Sequence, residues 1–153
     1  MKRNTYRTLF TLAVLILPVL SCNDMGNPPE SINDPVERWQ SYNFHDYSIA
    51  QQRHCFCPGT SGWVLITVRH DAIVAISDLA TGSPLPQELW APYRSVEDLF
   101  LLVTELESFD QATRRVEYDP KFGLPTKVGV EYDPPLLDAG YSYETYLIQT
   151  SAP

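Results

Sequence analysis

The chain has 153 residues, with 11 Lys and Arg against 19 Asp and Glu and a formal net charge of −8. So acidic a chain repels phosphate backbones, and no basic patch interrupts it, which argues against a nucleic-acid partner. Its length bounds it to one compact domain with its own core once the N-terminal signals below are set aside.

Those signals come first in the chain. "MKRNTYR" carries Lys2, Arg3 and Arg7 and no acid, and an apolar run follows from Leu9 to Leu20, broken only by Thr11 and Pro18. The run is short for a membrane span and is flanked as a secretory signal is. It ends "VLSC", with small Ser21 directly before Cys22, and this resembles a bacterial lipobox, where cleavage precedes the cysteine and its thiol takes a lipid. Residues 1–21 are thus expected to be a lipoprotein signal peptide, Cys22 the lipidation site, and 22–35 a lipidated, flexible tether rich in Pro, Gly, Asn and Asp. Cleavage would remove three bases and no acid, so membrane association should come from lipid rather than charge. Asn23 stands where an aspartate would resemble an inner-membrane retention signal, so the outer membrane is favoured in a host with two.

Residues 36–150 are expected to form a single α+β domain. "DPVERWQSY" opens it with Asp34 as N-cap and Pro35 in the first helical position, and Val36, Trp39 and Tyr42 fall on one face. A weakly alternating strand follows, with Tyr47, Ile49, Gln51, Arg53 and Cys55 on one side. Trp63–Arg69 and Ile73–Ser77 are β-branched runs flanking "HDA", which predicts a tight hairpin. Residues 79–94 hold three prolines and no period, and form a loop. "SVEDLFLLVTELESF" (95–109) is the clearest helix, with Ser95 and Asp98 at capping-box spacing and an apolar stripe of Val96, Leu99, Phe100, Val103, Leu106 and Phe109. Strands around Arg114–Tyr118, Pro125–Tyr132 and Tyr141–Thr150 complete the order α-β-β-β-α-β-β-β, with Gly123 at positive φ in the turn after Asp119-Pro120. Short connections make the strands antiparallel, so the expected fold is a sheet of five or six strands covered on one face by helix 95–109.

"CFCP", "VLITVRHDAIV", "SVEDLF" and "VEYDPKFGLPTKV" occur in that order between about Trp39 and Ile148. In this the chain resembles domain-of-unknown-function family 6174, small bacterial secreted proteins and lipoproteins. The sharpest marks are Cys55 and Cys57, Leu99-Phe100, and the Tyr118-Asp119-Pro120…Gly123…Pro125 turn. One departure is Ala72, where the family often has a hairpin glycine. The resemblance implies export and supports the fold, and it carries no activity.

"RHCFCPG" (53–59) is the one stretch with chemical character. With Cys22 lipidated, Cys55 and Cys57 remain as an even pair outside the cytoplasm, where oxidation is the expected fate. Residues i and i+2 of a flat strand have α-carbons roughly 6.5–7 Å apart, at the edge of what a disulfide tolerates, though Pro58 and Gly59 could curl the strand end. Three readings stay open: a local structural disulfide, a labile redox pair whose thiolate Arg53 and His54 favour, and a soft-metal site using the two sulfurs. Zinc needs more ligands, and on a strand His54 points away from both.

Other candidates have plainer explanations. His45, His54 and His70 lack metal spacing, "GTSG" (59–62) is a turn rather than a nucleophile elbow, and Asp119, Asp133 and Asp138 sit beside turns without a calcium-loop motif. Trp39, Trp63 and Trp90 suit a core better than a groove. No cofactor is implied. The expected function is a lipid-anchored cell-envelope domain that binds a partner or supports an envelope assembly without catalysis. The alternative is a thiol-based redox or metal-handling protein.

Overall fold

The computed structural model describes residues 32–55, 62–108, 112–132 and 140–150. Helix α1 (Pro35–Ser41) begins as its sequence requires, with the Asp34 carboxylate accepting the Glu37 amide at 2.9 Å and Pro35 in the first turn. Trp39 is its buried residue.

Strands β1 (Tyr47–Cys55), β2 (Val64–Arg69) and β3 (Ala72–Asp78) form an antiparallel meander. The hairpin connection is tighter than "HDA" suggests. Arg69 pairs with Ala72, leaving His70 and Asp71 as the turn, at φ 50° and 62°. Two left-handed central residues make a type I′ turn, whose twist suits a hairpin. Neither is glycine, so the conformation carries strain that neighbours must hold. The 43–46 segment does so: Asp46 Oδ1 accepts the His70 amide at 2.8 Å, the His45 carbonyl accepts the Asp71 amide at 3.1 Å, and His45 Nδ1 lies 2.9 Å from the Asp71 carboxylate. Ala72 is already in strand β3, which is why a residue with a Cβ fits there.

The 79–94 stretch is more ordered than a loop. Leu85 donates back to the Ile76 carbonyl at 2.8 Å, and a 3-10 turn spans Gln87–Leu89. Helix α2 (Val96–Leu106) then starts on the complete Ser95/Asp98 capping box and is shorter than expected at its C-terminus, where Glu107 is the cap. Of its apolar stripe, Val96, Leu99 and Leu106 are buried, whereas Phe100 and Val103 are half-buried. Phe109 lies outside the described residues.

Strands β4 (Ala112–Tyr118), β5 (Pro125–Tyr132) and β6 (Tyr141–Thr150) form a second meander. Among the described residues the result is an open six-stranded antiparallel sheet in the order β3-β2-β1-β6-β5-β4, with two α-helices. The joint between the meanders is β1 against β6, so the weakly patterned β1 is central, with partners on both sides. Its polar Gln51 is fully buried and satisfied: the side chain donates to the Arg94 carbonyl at 3.1 Å and accepts the Arg94 amide at 3.0 Å. A buried polar group is tolerated when paired in this way. The clasp fixes the segment that leads into α2.

Two apolar clusters hold the described residues together. One joins Trp39 of α1 and Val96 of α2 to Tyr47, Ile49, Ile66 and Leu124. The other joins Leu99 and Leu106 of α2 to Val128, Val130 and Tyr143. Packing against the strands is therefore shared between both helices and the 85–93 stretch, rather than carried by α2 alone.

Candidate functional site

Cys55 is the last residue of β1, opposite Tyr141 of β6, and is half-buried. Cys22 and Cys57 lie outside the described residues, as do Asp133 and Asp138. His54, Cys55, Arg115, Lys127, Gly129 and Tyr141 border a depression of about 400 Å³. Its cations are matched by acids: Arg115 Nε lies 3.4 Å from Glu117, and Lys127 Nζ lies 3.9 Å from both Glu117 and Glu144. Exposed pairs of this kind gather no net field for an anion. Behind it, the Arg53 guanidinium lies 5.9 Å from the centre of the Tyr143 ring, and its buried Nε has no hydrogen-bond partner among the described residues. Within that same scope, no group of three or more His, Cys, Asp or Glu is placed to hold a metal, and no helix is long and apolar enough to cross a membrane.

A second cavity, of about 510 Å³, lies where α1, the 43–46 segment, the β2–β3 turn and α2 meet. Each wall has a local cause. Trp39 packs edge-on against Phe44 at 5.1 Å and against Tyr47 at 5.3 Å between ring centres. Phe44 also stacks on Tyr42 at 5.0 Å, which fixes the chain leaving α1. The clamped turn presents Asp71, and the 43–46 segment presents its partner His45. On α2 the capping box fixes the first turn, and the walls are Phe100, Leu101 and Thr104.

At the inner end stands Glu97. Its Oε1 accepts the Trp39 indole N–H at 2.9 Å, and its Oε2 accepts the Tyr47 hydroxyl. The Tyr47 oxygen in turn accepts the Val96 amide at 3.0 Å. Burial, and then the Glu97 charge, push the Tyr47 phenol far above its ordinary pKa, so Tyr47 stays a donor. Both donors to Glu97 are neutral. None of the ion pairs among the described residues includes it.

The helix α1 that carries Trp39 is seated on the β4–β5 turn. There Asp119 Oδ1 accepts the Lys121 and Phe122 amides at 2.8 and 2.6 Å, and Gly123 sits at φ 85°, as its sequence suggested. Arg38 donates to the Pro120 carbonyl at 2.6 Å, and Tyr42 donates to the Lys121 carbonyl at 3.2 Å. A family model, the family of unknown function DUF6174, matches residues 31–150, which takes in both helices and all six strands. The chain belongs to this family. No curated protein and no solved structure gives a significant match. The Tyr118–Pro125 turn lies within the matched residues and props α1 beside the second cavity.

Sequence reasoning singled out the cysteines and passed over Glu97 and Tyr47. An acid in a helix's first turn is explained by the helix dipole, and a tyrosine in a strand by the core. Trp39 is a core residue, 3% exposed, and its N–H nevertheless reaches the cavity's inner carboxylate. Trp63 and Trp90 are half-buried elsewhere, with Trp63 stacked on Tyr146 and Trp90 donating to the Leu85 carbonyl. Of the histidines, His45 pairs with Asp71, while His54 and His70 are exposed.

Proposed function

We propose that this member of DUF6174 is an exported, lipid-anchored domain of the bacterial cell envelope that binds a small ligand in the cavity between α1 and α2, without catalysis. The observation that carries the binding reading is that cavity: about 510 Å³, with Val36, Trp39, Phe44, Phe100 and Leu101 beside a polar rim, and the Glu97 carboxylate held by Trp39. Its size and lining suit a ligand site. The anchoring reading is supported by the basic leader, the apolar run and "VLSC", with the outer membrane favoured by Asn23. A fragment screen by NMR on the full chain tests the binding site. Shifts should gather on Trp39, Phe100 and Leu101. Shifts gathered on His54 and Tyr141 would move the site to the other depression.

Lipidation has its own test. Cys22→Ser should abolish incorporation of labelled palmitate and leave precursor or soluble protein. Absence of label from the unaltered protein would refute the anchor.

The proposal includes a local bridge between Cys55 and Cys57. It is supported by compartment and count. Closing so short a loop stabilises by only about 1.6 kcal/mol before strain is subtracted. The double change to serine should therefore shift the melting temperature by only a few degrees, since about 1 kcal/mol corresponds to roughly 4–8 °C in a domain of this size. Mass spectrometry of unreduced protein should find a two-hydrogen deficit confined to the peptide holding both residues. Two free thiols there would favour the redox or soft-metal alternative.

A further inference from the structure

We propose that the cavity between α1 and α2 takes a small organic cation: a primary ammonium seated on Glu97, with its apolar stem against Phe44, Phe100 and Leu101. This rests on that cavity being the binding site and adds the chemical class of what enters it.

Burial orders the cavity from inside to outside. Trp39 is 3% exposed and Glu97 is half-buried, whereas Leu101, at 62%, stands at the mouth. The exposed rim also holds Gln40, Asn43, His45, Asp71 and Thr104, so a ligand that reaches Glu97 passes a mixed rim and lies against Phe44, Phe100 and Leu101. Among the described residues Glu97 carries two hydrogen bonds, one on each oxygen, both from neutral donors. A carboxylate offers about four acceptor positions, so capacity remains on both oxygens. Neutral donors orient the group without cancelling its charge. No lysine or arginine is among the described residues that line the cavity, and the other ionisable side chains there are a second carboxylate, Asp71, and the His45 imidazole hydrogen-bonded to it. An anion would thus meet two carboxylates, and the one imidazole there is already paired with Asp71. A cation would complete a charge-assisted pair with half-buried Glu97, stronger than a bond between neutral groups.

The stem follows from the walls. Val36, Phe44, Phe100 and Leu101 supply apolar contact, and the ring faces add attraction for a nearby cation. The volume, about 510 Å³, is that of a small-molecule site rather than a face for a folded partner. Exposed Leu101 has no packing reason to be apolar, because a helix surface position favours a polar residue.

The test uses the 15N-labelled full chain titrated with n-butylammonium, n-butyrate and n-butanol. The Trp39 indole N–H reports directly, because it donates to Glu97. Butylammonium should move that resonance together with the amides of Phe100 and Leu101, and butyrate should not. Glu97→Gln should weaken the amine about tenfold or more, the loss of one charge-assisted contact. Should Glu97→Gln fold poorly, Leu101→Lys serves in its place: at an exposed site it leaves the melting temperature unchanged and blocks the mouth with its own ammonium. Butanol binding as tightly as the amine, or an amine indifferent to both variants, would overturn the charge assignment and leave the cavity as a site. No shift at Trp39, Phe100 or Leu101 with any probe would overturn both.

Discussion

Leu99→Ala should destabilise the domain by about 2–5 kcal/mol, read from the denaturant midpoint at unchanged slope. Leu99 is fully buried and belongs to the cluster with Leu106, Val128, Val130 and Tyr143, so truncation leaves a cavity bounded by α2 on one side and β5 and β6 on the other. A domain of this size is stable by only about 5–15 kcal/mol, so the variant should lose a large share of its margin. Two neighbours set the scale. Glu105 is exposed, and Glu105→Ala should cost under about 0.5 kcal/mol. Phe100 shares the sequence stripe with Leu99 but is half-buried, lines the cavity beside α1, and stacks on Tyr118 at 6.4 Å. Phe100→Ala should fall between the two. Similar losses for Leu99→Ala and Glu105→Ala would mean that α2 is rotated about its axis.

The rotation of α2 was only half legible in the sequence. A stripe at helical spacing says which residues share a face, and Val96, Leu99 and Leu106 do go to the core. It does not say where along that face the supporting surface ends, and beside Phe100 it gives way to a cavity. Element order, the caps at Asp34 and Ser95, and the left-handed Gly123 were readable because each depends on residues within a few positions of one another. Strand β1 was the hard case. Its alternation is weak and polar, yet it is central, because Gln51 finds its partners on the Arg94 backbone, 43 residues away in sequence. The Glu97 site was invisible for the same reason: its partners Trp39 and Tyr47 are 58 and 50 residues distant. Pairings across such separations are set by topology, and no local pattern announces them.

Gly123→Ala should cost about 3 kcal/mol and loosen α1 from the sheet, whereas Gly82→Ala should cost only about 1 kcal/mol. The two glycines share one backbone requirement, with φ at 85° and 72° respectively. Placing an L-residue in that region costs roughly 1–2 kcal/mol at either site. Their surroundings differ. A Cβ on Gly82 would meet nothing within 4 Å, while one on Gly123 would stand 2.3 Å from the Pro35 carbonyl oxygen and 3.1 Å from the Arg38 Cβ. Those atoms belong to the first turn of α1, so the helix must move away or the turn must deform. Moving the helix lengthens the Arg38 contact to the Pro120 carbonyl and the Tyr42 contact to the Lys121 carbonyl, and it shifts Trp39 on the inner wall of the cavity. The variant should therefore show two signatures at once: a lowered denaturant midpoint and faster hydrogen exchange of the α1 amides. The Gly82 variant should show a small midpoint change and no change at α1. Equal losses at the two positions, with α1 exchange unaltered, would mean that the helix yields freely and that the β4–β5 turn does not position it.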